Sequence, residues 1–487
     1  MNSKKSKQKA SSRRDFLAKS LVASGIFIVP RHVLGGPGYL APSDQLNLAA
    51  IGAGGKGRSD IRNASVNGRE RVVALCDVHI DGAHGVKDSV KDFPKANFYQ
   101  DFREMLDKEK DIDAVTISTP DHMHAVAAVA AMQLKKHVYV QKPLTHNVRE
   151  ARILTELARE QKVVTQMGNQ GASNPSQLDI QEWINTGKIG NIGEVKVWTN
   201  RPVWPQGIPW PEPQPDQKPA GLDWDLWIGP AKETPYNPAM HPFNWRGWWP
   251  YGTGALGDMG CHLIDIPFKA LNLKYPVDVQ CSVGSVFRRM WTPEYLPEGC
   301  PPSSFVTIHF EATDKTGKPL EMTWSDGGIR PAHPYLIPSD EDMGESGSSS
   351  GVMIVGDKGI ITCGSYGLNA KLYRPGEPTV SSEREQENDE PEYGHQRKWV
   401  DACKAGFNSA EHQALTSSFD YAGPLTETVL MGNLAIRSYL LRKERSNGSF
   451  EYYGQKRLLW DGENMRITNL EEANQFVTRE YREGWAI

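Results

Sequence analysis

The chain has 487 residues, a formal net charge of −4, 23% charged and 39% hydrophobic residues. That length accommodates two or three domains, and the slightly acidic balance gives no basis for nucleic acid as a partner. No internal repeat, heptad run or apolar stretch long enough to span a membrane occurs beyond the extreme N-terminus.

Residues 1–35 read as a targeting segment rather than part of the fold. Lys4, Lys5, Lys7 and Lys9 make a basic start, Ser12-Arg13-Arg14-Asp15-Phe16-Leu17 follows, and Leu21 to Pro30 is apolar. Paired arginines, then Phe-Leu, then a modest apolar region resemble a twin-arginine export signal. The expectations are recognition by the twin-arginine machinery and a periplasmic location. Val33-Leu34-Gly35 matches an A-x-A cleavage site poorly, so an uncleaved tether is the alternative. The twin-arginine route carries folded proteins, so a nucleotide cofactor would be loaded before export and held tightly.

The most informative stretch is Leu46 to Gly57. A strand-length apolar run leads into Gly52, Gly54 and Gly57, spaced G-x-G-x-x-G. The first glycine suits a tight turn, the second a close approach of backbone to a pyrophosphate, and the third packing of a helix on a strand. The helix start then offers free N–H groups to phosphate. Arg71 to Asp77 is a second buried-strand run ending in an acid, and Asp77 lies 20 residues past Gly57, where a carboxylate can bind a ribose 2′-hydroxyl. This predicts a dinucleotide site for NAD, with NADP as the alternative.

Strands and helices then alternate to about Met167. A helix is expected over Phe98–Leu106 after a short strand, a strand over Ala114–Thr119 stopped by Pro120, and a helix over Ala125–Leu134. A strand over His137–Gln141 ends at Lys142-Pro143, a helix follows over Val148–Glu160, and a last strand runs over Lys162–Met167. The pattern is a doubly wound parallel sheet, a Rossmann domain over residues 44–167, whose ligands bind at the carboxyl ends of strands. Thr119, Pro120, Lys142 and Gly168 stand at such ends.

Beyond Gly168 the character changes. Eight of the fourteen tryptophans lie between positions 198 and 249, in a proline-rich stretch. A helical stretch over Ala255–Leu271 precedes alternating runs from Val279 to Tyr373, which predict a mixed, largely antiparallel open sheet. Closing helices are expected near Tyr393–Ala405 and Pro424–Leu441. Residues 168–487 are assigned to a second, α/β domain. The six cysteines form no C-x-x-C pair and read as buried thiols.

Two constellations carry chemistry. Lys142 ends a strand, where a lysine can hydrogen-bond a substrate hydroxyl or relay a proton. Asp258 and His262 are four apart and share a helix face; the carboxylate can orient the imidazole, and histidine titrates near neutrality as a general base needs. Phe243-Asn-Trp245-Arg246-Gly-Trp248-Trp249 leads into that helix. Flat aromatic faces suit the C–H faces of sugar rings, and Arg246 suits hydroxyls or an acid group, so Trp245, Arg246, Trp248 and Trp249 are candidate substrate contacts. Asp121-His122-Met-His124 lacks further ligands at suitable spacing, and no metal is expected.

The glycine turn, Thr119-Pro120…His124, Gln141-Lys142-Pro143 and Asp258-x-x-x-His262 together resemble the Gfo/Idh/MocA family of NAD(P)-dependent sugar and polyol oxidoreductases. The likeness runs from about residue 46 to 441. It implies a Rossmann domain followed by an open-sheet domain with substrate contacts and oligomer surfaces, hence a homo-oligomer. It implies Lys142 as the catalytic lysine, Asp258 with His262 as the acid–base pair, and Thr119, Pro120 and His124 beside the cofactor. One departure is Gln141, where the family usually has Glu, which removes a negative charge beside Lys142. The expected activity is hydride transfer between a sugar or glycoside carbinol and a bound nicotinamide. The alternatives are a glycosidase working by transient oxidation, elimination and re-reduction, and a non-catalytic sugar-binding protein, against which the intact Lys142, Asp258 and His262 argue.

Overall fold

The computed structural model describes residues 44–66, 68–81, 84–384 and 391–487. The twin-arginine segment lies outside the described residues. From Leu46 onward the chain is one compact unit built around two sheets.

The first sheet has six parallel strands: β1 (Asn47–Ile51), β2 (Arg71–Cys76), β3 (Asn97–Tyr99), β4 (Ala114–Ile117), β5 (His137–Val140) and β6 (Thr165–Met167), in the order β3-β2-β1-β4-β5-β6. The order reverses beside β1, so a crevice opens at the carboxyl ends of β1 and β4. These strands are nearly continuous apolar runs because helices cover both faces. Helix α1 (Gly55–Ser65) follows β1, and α2 (Lys87–Asp92) follows β2. Helix α3 spans Phe102–Lys108, later than the sequence suggests. Asp101 caps it by accepting the Arg103 N–H at 2.8 Å, and Asn97–Tyr99 is taken by the edge strand. Helix α4 (Asp121–Gln133) begins directly after Pro120, one turn before the expected Ala125. Helix α5 (Val148–Gln161) is capped by Asn147, which accepts the Glu150 N–H at 3.0 Å.

After α6 (Ser176–Asn185), the chain enters the second sheet in the middle, through β7 (Ile192–Trp198). Nothing in the sequence pattern singles this strand out. The remaining strands of that sheet are β8 (Asp278–Val283), β9 (Ser304–Phe310), β10 (Leu320–Ser325), β11 (Gly351–Gly356), β12 (Ile360–Cys363), β13 (Lys371–Tyr373), β14 (Val380–Ser381), β15 (Leu458–Asp461) and β16 (Arg466–Ile467). Their order is β14-β13-β12-β11-β7-β10-β9-β8-β15-β16. Only β7 and β10 pair parallel; every other pair in the sheet is antiparallel. The expected helix over 255–271 is two, α7 (Gly254–Leu263) and α8 (Asp265–Ala270), which meet at Ile264.

The C-terminal part reaches back to the first sheet. Helix α9 (His395–Ala405) buries Trp399 against Tyr139 of β5, ring centroids 5.7 Å apart. Helix α10 (Phe419–Tyr439) begins five residues before Pro424, with Pro424 inside it. Gly423 lets it close on α5: a Cβ there would lie 2.1 Å from Thr155 Oγ1. The same helix packs on β8 and β9 and so joins the two sheets in one core.

Candidate active site

A cavity of about 740 Å³ lies where the glycine turn, the carboxyl ends of β4 and β5, the tryptophan-rich segment and α7 converge. Gly52, Gly54, Asp77, Thr119, Pro120, Lys142, Trp245, Arg246, Asp258 and His262 all line it. Residues separated by more than 200 positions in the chain therefore face one space.

The turn is built as the spacing requires. Gly52 has φ +72, and a Cβ on it would lie 2.8 Å from the backbone of Ser118 and Thr119. Gly57 does not line the cavity; a Cβ there would sit 1.8 Å from the Gly52 carbonyl, so its absence lets α1 pack on β1. Gly54 departs from the expected reason for a glycine. The space a Cβ would need is taken by the His84 carbonyl, 2.2 Å away, so this position is glycine for the sake of the following loop. The Gly54 N–H donates to Asp77 Oδ2 at 2.8 Å, and the His79 N–H donates to Asp77 Oδ1 at 2.9 Å. Burial raises the Asp77 carboxyl pKa to about 6, and those two amides oppose the shift. A left-handed glycine, a helix start and a carboxylate at the end of β2 are the donor and acceptor set that a dinucleotide's pyrophosphate and ribose need, so these residues fit NAD.

At the other end of the cavity, Lys142 Nζ donates to Asp258 Oδ1 at 2.9 Å and to the Asp258 carbonyl at 2.8 Å. Arg246 Nε approaches the same Oδ1 at 3.4 Å. The Arg246 guanidinium lies over the rings of Trp245 and Phe243, 4.2 and 4.3 Å from their centroids. Burial pushes the Asp258 pKa up, but the charges of Lys142 and Arg246 outweigh it and hold the group at about 2. Asp258 is therefore an anion that anchors two cations. The expected Asp258–His262 pairing is replaced by this ion pair. His262 packs edge-on to Tyr366 at 4.8 Å, and its Nδ1 finds no hydrogen-bond partner among the described residues. Burial, reinforced by the Lys142 charge, holds its pKa well below the ordinary 6.5. The imidazole is thus neutral and free to accept a proton.

Four expected contacts do not reach the cavity. Gly57 serves packing, as above. His124 is fully buried, with its ring nitrogens 2.7 Å from the Pro143 carbonyl and 2.9 Å from the Thr119 carbonyl. It braces the ends of β4 and β5 instead of touching a ligand. Trp248 is buried edge-on to Trp210 at 5.2 Å, within the cluster of Trp227, Tyr236 and Tyr251. Trp249 packs into the main core under the Arg437 guanidinium. Of the tryptophan run, Phe243, Trp245 and Arg246 line the cavity, whereas Trp248 and Trp249 pin the long loop. His122 is also consumed structurally, its ring nitrogens meeting the Trp227 and Tyr251 carbonyls. No group of three or more His, Cys, Asp or Glu suited to a metal occurs among the described residues.

Several lining residues stand in no recognisable sequence pattern. Tyr366 sits at φ +63 in a short turn after β12, and Asp121 stands in the Asp121-His122-Met-His124 cluster, whose residue types point only to a metal. Glu392 reaches over from the segment before α9 to pair with Lys56 of the glycine turn at 2.6 Å. Asp60, fully buried in α1, accepts from Lys56, Ser118, Gln141 and Gln396 at 2.8 to 3.0 Å. A hydrophilic position on an amphipathic helix gives no hint of such a hub.

Comparison with known proteins agrees with this architecture. Residues 46–169 match the Gfo/Idh/MocA oxidoreductase family's NAD-binding Rossmann fold, and residues 204–283 match its C-terminal alpha/beta domain. A levoglucosan dehydrogenase of Pseudarthrobacter phenanthrenivorans is 25% identical over 212 residues, 42% of this chain and 43% of that one. A glycosyl hydrolase family 109 protein of Shewanella is 32% identical over 187 residues, 36% of this chain and 40% of that one. The chain spans less than half the length of these relatives. An inositol dehydrogenase homolog of Azotobacter vinelandii, solved with NADH and myo-inositol, shares the fold with a TM-score of 0.55 at 16% identity, covering 80% of this chain and 95% of that one. The two matched stretches, residues 46–169 and 204–283, thus resemble in order the NAD-binding Rossmann fold and the C-terminal alpha/beta domain of the Gfo/Idh/MocA oxidoreductase family.

Proposed function

We propose that this protein oxidises a hydroxyl-bearing carbon of a sugar, glycoside or polyol. The observation that carries the reading is the meeting, in one cavity, of the dinucleotide turn, the Lys142–Asp258 ion pair and a neutral His262. NAD, when bound, supplies the nicotinamide that accepts hydride. Lys142, fixed by two hydrogen bonds to Asp258, presents its remaining ammonium donor to the substrate oxygen and favours the developing alkoxide. His262 accepts the hydroxyl proton. Trp245 offers an apolar face, and Arg246, stacked and anchored on Asp258, fixes the rim. The similarity to a levoglucosan dehydrogenase and the fold shared with an inositol dehydrogenase homolog support this reading.

The likeness to a glycosyl hydrolase family 109 protein favours a second reading, in which oxidation is transient, the aglycone is eliminated, and the hydride returns. One experiment separates the two. The purified full-length protein is assayed with sugars, polyols and aryl glycosides while cofactor absorbance and released aglycone are followed together. Net NADH formation supports oxidation as the outcome, and aglycone release without NADH supports the second reading. Neither product with any substrate sinks both.

Residues 1–35 extend the proposal to an exported enzyme that takes up its nucleotide in the cytoplasm and works in the periplasm.

A further inference from the structure

We propose that Asp121 is a specificity-determining residue whose carboxylate accepts a hydrogen bond from a second hydroxyl of the substrate, next to the one held at Lys142 and His262. The inference rests on the reading that this cavity oxidises a sugar or polyol, and it adds the requirement for a diol.

Asp121 is the first residue of α4 and is 6% exposed, yet it lines the cavity. Its Oδ2 accepts the Thr253 hydroxyl proton at 2.6 Å, and no donor to Oδ1 occurs among the described residues. A buried carboxylate with one oxygen engaged and one open to a binding cavity is an acceptor awaiting a donor.

The carboxylate is held through Oδ2 from the substrate-facing side. Thr253 immediately precedes α7, the helix that carries Asp258 and His262. Gly257 leaves room for the threonine side chain, since a Cβ there would lie 1.9 Å from Thr253 Oγ1. Asn433 of α10 donates to the Thr253 carbonyl at 2.9 Å. The charged groups that act on Asp121 are Arg246, Lys142 and Asp258, which form the reacting end of the cavity. The buried thiols of Cys261 and Cys300 also lie within its field. Thr253, which holds Oδ2, adjoins the helix of Asp258 and His262, and both of these line one cavity with Asp121, so the open oxygen serves the substrate end.

Burial raises the Asp121 carboxyl pKa to about 6, and the Thr253 hydrogen bond, Arg246 and Lys142 oppose that shift. Above that pH both oxygens only accept; below it the group is protonated and competes as a donor. Substrate binding should weaken as pH falls through this range, read as a rise in KM.

The test uses the NAD-loaded full-length protein with trans-1,2-cyclohexanediol, myo-inositol and cyclohexanol, followed by NADH absorbance from pH 5 to 8. The wild type should favour the diols over cyclohexanol, with KM for the diols rising below about pH 6. Asp121→Asn should lower that preference roughly tenfold, the scale of one hydrogen bond to a charged acceptor, and abolish the KM limb. NADH fluorescence titration should remain unchanged in Asp121→Asn. Thr253→Val removes the hydrogen bond that favours the ionised form, so its limb should move to higher pH; this variant serves even if Asp121→Asn does not fold. No NAD reduction by the wild type with any polyol would overturn the oxidation reading and this inference with it. NAD reduction with an unchanged diol preference in Asp121→Asn, or an unmoved limb in Thr253→Val, would overturn the inference alone.

Discussion

Lys142 Nζ lies 2.9 Å from Asp258 Oδ1 and 2.8 Å from the Asp258 carbonyl, across 116 residues of sequence. The contact ties the end of β5 in the Rossmann sheet to the first turns of α7. Gln141, a neutral residue, precedes the lysine, and the negative charge beside the lysine comes from Asp258. The side chains are 17% and 15% exposed, so the pair is only weakly screened.

The first prediction follows from that charge. The folded Asp258 titrates near 2, below its ordinary 3.8. A depressed carboxylate contributes stability that is fully present above its unfolded pKa and is lost as pH falls through its folded pKa. The window is therefore about pH 4 to 2, and the contribution is on the order of 2 kcal/mol. Asp258→Asn should be less stable at pH 7 and should lose this step in urea midpoints measured across pH 2 to 5. An unchanged step would mean another carboxylate governs acid unfolding.

His262→Ala should lower kcat on the order of 10²–10⁴-fold, the usual range for a positioned general base, with cofactor binding retained because the glycine turn is distant in the chain. The pH dependence differs from what an exposed histidine would give. Burial and Lys142 hold His262 neutral well below 6.5, so the base stays competent through neutrality. The rising limb of kcat belongs below pH 6.5 and should vanish in His262→Ala. A wild-type kcat limb centred at or above pH 6.5 would remove His262 as the base.

Much of this site is legible in the chain because its strand ends are marked by punctuation: Gly52 after β1, Pro120 after β4, Pro143 after β5. Local turn chemistry fixes those positions, so a one-dimensional pattern reveals them. The tryptophan run is legible only as a cluster. Which ring faces the cavity depends on how the loop folds, and Trp245 turns inward to it while Trp248 and Trp249 turn to the core. Asp121, Glu392 and Tyr366 are illegible because their roles arise only when distant segments meet. Strand β7 is missed because Ile192–Trp198 has only a short, imperfect alternation broken by Gly193 and Glu194, and its place in the middle of the sheet comes from pairing with the distant strands β10 and β11.

Asp77 carries the prediction on cofactor choice. Its two oxygens are oriented by the Gly54 and His79 amides; ionised, they accept from a ribose 2′-hydroxyl and repel a 2′-phosphate. The wild type should bind NAD more tightly than NADP in fluorescence titration at pH 7.5. Asp77→Ala should narrow that gap by roughly tenfold or more, the scale of one charged hydrogen bond. Tighter binding of NADP by the wild type would contradict the assignment.

Export is tested at Arg13 and Arg14. Replacing both with Lys should leave folded, NAD-loaded protein in the cytoplasm, detected by fractionation. Delivery to the periplasm at the normal rate would show that the paired arginines are not an export signal.

The last prediction concerns Gln141 and Asp60. Gln141 Nε2 donates to Asp60 Oδ2 at 2.9 Å, and both residues are buried. Among the described residues Lys56 is the one cation hydrogen-bonded to that carboxylate, and it is shared with Glu392. Gln141→Glu would replace a donor with a second carboxylate at the same spacing. Two buried like charges so close cannot both ionise without cost, so the variant should be destabilised by about 2–4 kcal/mol. The added charge would also sit beside Lys142 and compete with Asp258 for it. Asp60→Asn restores a donor–acceptor match when combined with Gln141→Glu. The double variant should therefore recover most of the stability lost in Gln141→Glu, with a coupling of about 1 kcal/mol or more, the usual size for contacting residues. A double-mutant cycle in urea reads this directly. Strict additivity would show that glutamine at position 141 is not matched to Asp60, and that the identity of this residue is set by the substrate side of the cavity instead.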